Sequence, residues 1–112
     1  FVALTTNKER TLVVYEKSHL LHEKYFKDRN NKSSKNWLRI DPTYLEEIAH
    51  TKKVLTIPAG ALVLWDSRVF HQNQYGAPNS EERIVQYICY LPKSHLNNTA
   101  SNKRKRIKYS AC

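Results

Sequence analysis

Short apolar runs bounded by turn residues constrain the possible folds of this chain more than any other feature of its sequence. Residues 11–15, 61–65 and 84–91 are rich in β-branched, aromatic and aliphatic side chains, the usual composition of strands. Residues 1–5 form another apolar run, which predicts a hairpin with residues 11–15. The Pro-Ala-Gly sequence at residues 58–60 is a turn signature. Tight turns favour antiparallel pairing, so we expect a mainly β fold of the jelly-roll or barrel kind.

Two short helices are predicted among these strands. Ser18 is suited to cap a helix over residues 19–26, whose apolar residues fall near helical spacing. Pro42 predicts the first turn of a second helix, over residues 43–50. A further strand is predicted at residues 54–57.

Length, chain start and cysteine content limit the kind of protein. With 112 residues the chain forms one domain at most. It begins at Phe1 inside a predicted strand, and since domain edges usually lie in polar linkers, we expect a sheet truncated on its N-terminal side. No apolar run approaches the roughly 20 residues that span a bilayer, so no membrane association is expected. Cys89, expected in a buried strand, and Cys112 make no disulfide framework, which favours an intracellular, cytoplasmic setting.

The net charge of +9 is concentrated near the C-terminus. Five of six consecutive residues in one cluster are basic, and these are Lys103, Arg104, Lys105, Arg106 and Lys108. Like-charge blocks usually stay disordered, so residues 96–112 are predicted to form a disordered tail. The same cluster is compatible with nuclear import or with nucleic-acid binding.

A histidine and an arginine lie between two of the apolar runs, at positions suited to a binding site. His71 lies after the run at residues 61–65, and Arg83 follows twelve residues later, directly before the run at residues 84–91. A neutral imidazole is a good ligand for a borderline metal, and a fixed guanidinium is a good clamp for a carboxylate. The pair therefore predicts a metal site that also binds an acid.

These motifs together resemble a known family. The order of the Pro-Ala-Gly turn, the Leu-Val-Leu-Trp-Asp-Ser-Arg segment at residues 62–68, His71 and Arg83 is similar to that of the phytanoyl-CoA dioxygenase-like family of Fe(II)/2-oxoglutarate-dependent oxygenases. Residues 12–19 resemble an earlier segment of the family, with Glu16 and Lys17 replacing its usual Pro-Gly. The resemblance extends over roughly residues 1–92 and leaves out the basic tail.

The resemblance implies a double-stranded β-helix, the cupin-like jelly roll, that holds Fe(II) through two histidines and one carboxylate. His71 matches one histidine ligand. Arg83 matches the residue that pairs with the far carboxylate of the co-substrate 2-oxoglutarate, where a bidentate guanidinium gives charge and direction. Trp65 is expected beside the co-substrate, and Asp66 either contributes contacts around the ligand or is an ordinary polar residue at the strand end.

The implied activity is oxidation of a C–H bond in a small-molecule or acyl-type substrate, with decarboxylation of 2-oxoglutarate to succinate. The other two iron ligands of the family form a His-x-Asp motif, and no histidine of this chain has Asp or Glu two positions later. The family has that motif shortly before the strand matching residues 1–5, so we expect it upstream of Phe1. Residues 1–95 are then the C-terminal part of the catalytic domain, inactive by themselves.

Other interpretations remain open for each residue. His71 is otherwise a surface-loop histidine, and Arg83 an exposed arginine that balances Glu81 and Glu82. His19 and His22 share a helix face, as zinc ligands do, but no third ligand follows at a suitable spacing. The alternative for the whole chain is a non-catalytic β-helix module that binds a partner, or nucleic acid through its basic tail.

Overall fold

The computed structural model describes residues 1–29 and 37–90. They form a small mixed α/β fold of short antiparallel strands and two short helices: β1 (Val2–Ala3), β2 (Leu12–Tyr15), α1 (His22–Asp28), α2 (Pro42–Glu47), β3 (Lys52–Val54), β4 (His71–Asn73) and β5 (Val85–Gln86). Short 3-10 turns at Ser18–Leu20 and Ala49–Thr51 accompany the helices. The predicted basic tail, the domain boundary at residue 95 and Cys112 lie outside the described residues. Neither helix in residues 1–29 and 37–90 is long and apolar enough to cross a bilayer.

The strands form two antiparallel sheets. In the first sheet β1 pairs with β5, and its other edge bonds to residues 61–63 through the Val2–Leu62 bridge. In the second sheet β2 lies between β3 and β4. The chain alternates between the sheets: β1 is in the first, β2 and β3 in the second, residues 61–63 in the first, β4 in the second and β5 in the first.

The predicted hairpin of residues 1–5 with residues 11–15 is wrong. β1 and β2 belong to different sheets, and each pairs with strands distant in the sequence. The turn between them is held elsewhere, because Asn7 exchanges backbone hydrogen bonds of 2.8 and 2.9 Å with Ile57. Local sequence favours a hairpin at this position, but burying the apolar residues of both strands requires them to face each other across a core.

Two apolar clusters give the molecule three layers. The inter-sheet core contains buried residues of the first sheet, Phe1 and Ala3, and of the second sheet, Leu12, together with Ile57. On the other face of the second sheet, a helix-side core joins Tyr15, Tyr25 and Phe70 to partly buried residues of both helices. The first sheet therefore packs on the second, and the helices pack on the far side of the second.

Apolar residues occupy both faces of the first sheet. Val63 and Trp65 point into the inter-sheet core, whereas the alternate residues Leu62 and Leu64 are exposed. Ile84 is exposed in the same way, while Val85 packs inward. The expectation that Cys89 lies in a buried strand is wrong, because Cys89 is exposed near the end of the described chain.

The two predicted helices differ in how they begin. The predicted start of α2 is confirmed, since Pro42 is its first residue and the Asp41 carboxylate caps it by accepting a 2.9 Å hydrogen bond from Thr43 N. The predicted cap of α1 is wrong. The buried Ser18 hydroxyl donates to Tyr15 O at 2.6 Å and accepts from Phe70 N at 2.7 Å, and α1 begins only at His22 without a side-chain cap.

We expect Ser18→Ala to lower the free energy of unfolding by about 1–3 kcal/mol, because the buried Phe70 N–H then lacks an acceptor. Urea denaturation measures this difference. Ser67→Ala is the matched control, since Ser67 is exposed and its substitution should change stability little. Equal stabilities of the two variants would contradict a structural role for the Ser18 hydroxyl.

Candidate functional site

His71 opens strand β4 at an edge of the second sheet. The sequence places it after the apolar run at residues 61–65, and the structure gives it a strand of its own, paired with β2. Its cross-strand partner is Val14, which packs against the inter-sheet core. Directly opposite residues lie on the same face of a sheet, so His71 lies on the inter-sheet face, at its exposed margin.

A backbone carbonyl fixes the tautomer of the imidazole. Nδ1 of His71 lies 2.7 Å from the carbonyl oxygen of Val69. A carbonyl only accepts hydrogen bonds, so Nδ1 is the donor here and Nε2 is the ring nitrogen left for another partner. Metal-binding histidines commonly have this arrangement, in which the second ring nitrogen donates to a carbonyl or a carboxylate. Nε2 is therefore the atom through which His71 could bind a metal.

Trp65 connects the imidazole to the inter-sheet core. Its ring makes edge contacts with His71 at 5.8 Å and with Phe1 at 5.5 Å between centroids. A third edge contact joins it to Tyr87 at 6.5 Å, and Phe1 contacts Tyr87 at 5.4 Å. We call Phe1, Trp65 and Tyr87 the aromatic cluster.

Arg83 contacts the same aromatic cluster from the start of β5. Its guanidinium carbon lies 5.5 Å from the centroid of the Phe1 ring, and Nη2 donates a 3.3 Å hydrogen bond to the Tyr87 hydroxyl. The structure thus brings His71, Trp65 and Arg83, the three residues predicted for the site, to one cluster. In residues 1–29 and 37–90, no carboxylate forms an ion pair with Arg83, because the two pairs found there join Lys53 to Glu16 and Arg68 to Asp66.

Glu81, one of the two glutamates expected to balance Arg83 in the alternative interpretation, binds a turn instead. One carboxylate oxygen accepts from the Asn7 side-chain amide at 3.1 Å, and the carboxylate also accepts from the backbone N–H groups of Lys8, Glu9 and Arg10 at 3.0–3.1 Å. The Asn7 hydrogen bond, followed by those from the backbone, lowers the pKa of Glu81 to about 2. Successive N–H groups of this kind form an anion-binding nest, here filled by a side chain of the same molecule.

Asp66 and Arg68 shape the turn that precedes His71. Asp66 accepts hydrogen bonds from Arg68 Nε at 3.0 Å and Nη2 at 2.6 Å, and its Oδ1 accepts from the Arg68 backbone N at 2.9 Å. The side-chain hydrogen bond from Arg68 holds the pKa of Asp66 well below its usual range. Asp66 O also accepts from Val69 N at 3.0 Å. The ion pair therefore stabilises the turn carrying the Val69 carbonyl, which orients His71.

Two concavities border this turn. One, of about 470 Å³, opens on the inter-sheet core and is lined by Trp65 and by the apolar side chains of Leu12, Val14 and Val63. The other, of about 480 Å³, lies on the helix side and includes Phe26, Leu38, Ile40, Phe70 and His71 in its wall. Val69 lines both of them.

The zinc interpretation of His19 and His22 gains no support. The His22 ring packs against Phe26 in a tilted arrangement, with ring centroids 4.6 Å apart, as a packed helix residue does. Within the described ranges, no three His, Cys, Asp or Glu side chains form a group suited to a metal ion.

The sequence did not indicate that Phe1 and Tyr87 contact Arg83, or that Asn7 and Glu81 bind each other. Tyr87 packs against the inter-sheet core, and its hydroxyl also accepts a hydrogen bond from Arg83. Asn7 and Glu81 are 74 residues apart in the sequence, and no local motif signals that they meet.

Comparison with known proteins gives one named relative. Over 89 residues, 80% of this chain, the sequence is 34% identical to Ava biosynthesis cluster protein O of Aspergillus versicolor. The chain spans 22% of the length of that protein. No protein-family model matches the chain. No solved structure matches it either.

The low pKa of Glu81 predicts a dependence of stability on pH. Its folded-state pKa of about 2 lies below the ordinary value of 4.5, so the ionised carboxylate stabilises the fold above about pH 4.5 and this contribution is lost as the pH falls toward 2. We expect the unfolding free energy to decrease more steeply over this window in the natural protein than in Glu81→Gln. Urea denaturation at stepped pH values measures both slopes. Glu82→Gln, which removes an exposed carboxylate one residue away, should follow the natural protein, and equal slopes for Glu81→Gln would contradict the assignment.

Proposed function

We propose that this chain is the C-terminal part of the catalytic domain of an Fe(II)/2-oxoglutarate-dependent oxygenase, related to the phytanoyl-CoA dioxygenase-like family. The observation that carries the proposal is the convergence of His71 and Arg83 on one aromatic cluster between the two sheets. These residues come from different sheets, so their meeting is not a consequence of sequence spacing.

The strand order supports a double-stranded β-helix for the whole domain. A jelly roll has eight strands in two sheets, and its chain passes repeatedly from one sheet to the other. The same alternation runs from β1 to β5, and it gives each sheet three members if residues 61–63 are counted with β1 and β5. β4 and β5 lie at the margins of their sheets, where one more strand could join each. We propose that those strands come from a part of the full-length protein that precedes residues 1–5.

His71 supplies one of the three iron ligands in this proposal. An imidazole whose Nδ1 is oriented by a carbonyl can present Nε2 to Fe(II), which oxygenases bind through two histidines and one carboxylate on one face of the metal. The other two ligands would lie on the added strand beside β4. With 2-oxoglutarate and dioxygen, the bound Fe(II) would supply hydroxylation of a C–H bond, yielding the alcohol, succinate and CO₂.

Arg83 would hold the far carboxylate of 2-oxoglutarate. Apart from its 3.3 Å bond to Tyr87, its guanidinium makes no hydrogen bond to another described residue, so most of its donors are available for a bidentate pair. The aromatic cluster beside it keeps water away from one side of the guanidinium, which strengthens its attraction for an anion. Trp65 would form the wall between the carboxylate and the imidazole.

The helix-side concavity supports an apolar substrate. His71 lies at its margin, and the rest of its described wall is mainly aliphatic and aromatic, with Phe26, Leu38 and Phe70 among the residues. Arg68 also borders it, but its charge is paired with Asp66. A small molecule or an acyl group that presents a C–H bond near His71 fits this chemistry.

The nucleic-acid alternative depends on the basic cluster from Lys103 to Lys108, which lies outside the described residues. It stays a prediction from sequence.

We expect His71→Ala to abolish formation of succinate from 2-oxoglutarate in the full-length protein and to weaken Fe(II) binding, because one of three ligands is lost. Succinate formation and Fe(II) titration under anaerobic conditions measure the two effects. His50→Ala, which removes an exposed histidine in a 3-10 turn, is the control and should behave as the natural protein does. Normal turnover by His71→Ala would refute the proposal.

We expect Arg83→Ala to raise the Kd of 2-oxoglutarate by about 10- to 100-fold, the usual effect of losing a charged hydrogen-bond pair, with a much smaller effect on Fe(II) binding. Arg83→Lys keeps the charge without the fork, so it should give an intermediate Kd. Calorimetric titration with 2-oxoglutarate measures both. Arg39→Ala removes an exposed arginine elsewhere and serves as the control. An unchanged Kd in Arg83→Ala would exclude Arg83 as the clamp.

A further inference from the structure

The backbone around Arg83 is held on both sides by the turn between β1 and β2. On the N-terminal side, the carboxylate of Glu81 fills the nest made by the turn, and Glu82 O accepts from the Asn7 side-chain amide at 2.9 Å. On the C-terminal side, Ile84 N donates to the Thr5 hydroxyl at 2.9 Å. The backbones of Glu82 and Ile84, the residues on either side of Arg83, are therefore both hydrogen-bonded to this turn.

Asn7 joins these contacts into one network and fixes it to the core. It is only 2% exposed, and its side-chain oxygen accepts a 2.7 Å hydrogen bond from the Thr5 hydroxyl. Its amide nitrogen donates to both Glu81 and Glu82, while its backbone pairs with the buried Ile57. We call the set Thr5, Asn7 and Glu81 the clasp.

The side chain of Arg83 has much weaker restraints than its backbone. Its contacts in the described residues are the 3.3 Å hydrogen bond to Tyr87 and the position over the Phe1 ring at 5.5 Å. A long side chain with several rotatable bonds can reach only the region around its own backbone. By holding that backbone, the clasp limits where the guanidinium can meet a carboxylate, and a bidentate pair tolerates little misalignment.

We propose that Glu81 is a positioning residue for the co-substrate: by filling the nest at residues 8–10, it sets the backbone from which Arg83 reaches the far carboxylate of 2-oxoglutarate. This inference depends on the proposed function. It gives Glu81 a role without any contact to substrate or metal. The nest is filled by a side chain from the segment before β5 that also carries Arg83, so the β1–β2 turn and the proposed co-substrate clamp are joined.

The test compares Glu81→Gln with Glu82→Gln in the full-length protein. Both variants remove one negative charge near Arg83. Only Glu81→Gln removes the carboxylate of the clasp, because the Glu82 side chain is exposed and Glu82 bonds to Asn7 only through its backbone oxygen. We expect Glu81→Gln to raise the KM for 2-oxoglutarate about tenfold, with kcat changed less than about twofold, and Glu82→Gln to leave both unchanged. Glu81→Asp retains the charge on a shorter side chain and should recover part of the loss.

A merely structural role would lower the amount of folded enzyme, and hence the apparent kcat, without raising the KM. Thermal unfolding of each variant checks that the fold is retained, and if Glu81→Gln does not fold, the KM of Glu81→Asp decides instead. An unchanged KM in the folded Glu81 variant, while Arg83→Ala still weakens 2-oxoglutarate binding, overturns the positioning role alone. Absence of 2-oxoglutarate turnover by the natural protein overturns the proposed function, and the positioning role with it.

Discussion

Packing between the inner faces of the two sheets is the interaction on which the rest of this structure depends. Leu12, in the central strand of the second sheet, is 2% exposed and lies in one cluster with Phe1 and Ala3 of the first sheet. Burial of a leucine or a phenylalanine side chain contributes about 1.5–3 kcal/mol each, far more than the exposed ion pair between Lys53 and Glu16. Strands of two to four residues have few hydrogen bonds of their own, so the core between them keeps the sheets together.

The candidate site lies at the margin of that core. Trp65 is part of the inter-sheet packing and also touches His71, while Phe1 is buried and also lies under Arg83. Side chains that are packed on one side have few alternative rotamers, which keeps the polar groups they contact in place. The imidazole is therefore placed at the margin of the core by Trp65, and the guanidinium lies over Phe1 from a backbone that the clasp holds, while polar atoms of both remain available to a ligand.

Local signals in the sequence were reliable where a few neighbouring residues decide the outcome. Pro42 begins α2 because proline has a suitable φ and lacks the N–H that a first turn leaves unpaired. Gly60 has φ +86° in the predicted Pro-Ala-Gly turn, a conformation that favours glycine. Signals of the same kind failed at Ser18, because its hydroxyl bonds to Tyr15 and to the distant Phe70 instead of capping a helix. The apolar run at residues 61–65 likewise did not reveal which side chains face outward.

The sequence by itself determined the apolar runs, the turn at residues 58–60 and the start of α2, because each depends on residue type or near neighbours. Its resemblance to a known family pointed to the candidate residues His71, Trp65 and Arg83. Only the tertiary structure decided that β1 and β2 lie in different sheets, that Glu81 binds the turn at residues 7–10 rather than Arg83, and that Val69 fixes the imidazole tautomer. The first two depend on contacts between residues far apart in the chain, whose partners are selected by which apolar surfaces can be buried together. The third depends on a turn geometry that residue types alone do not specify.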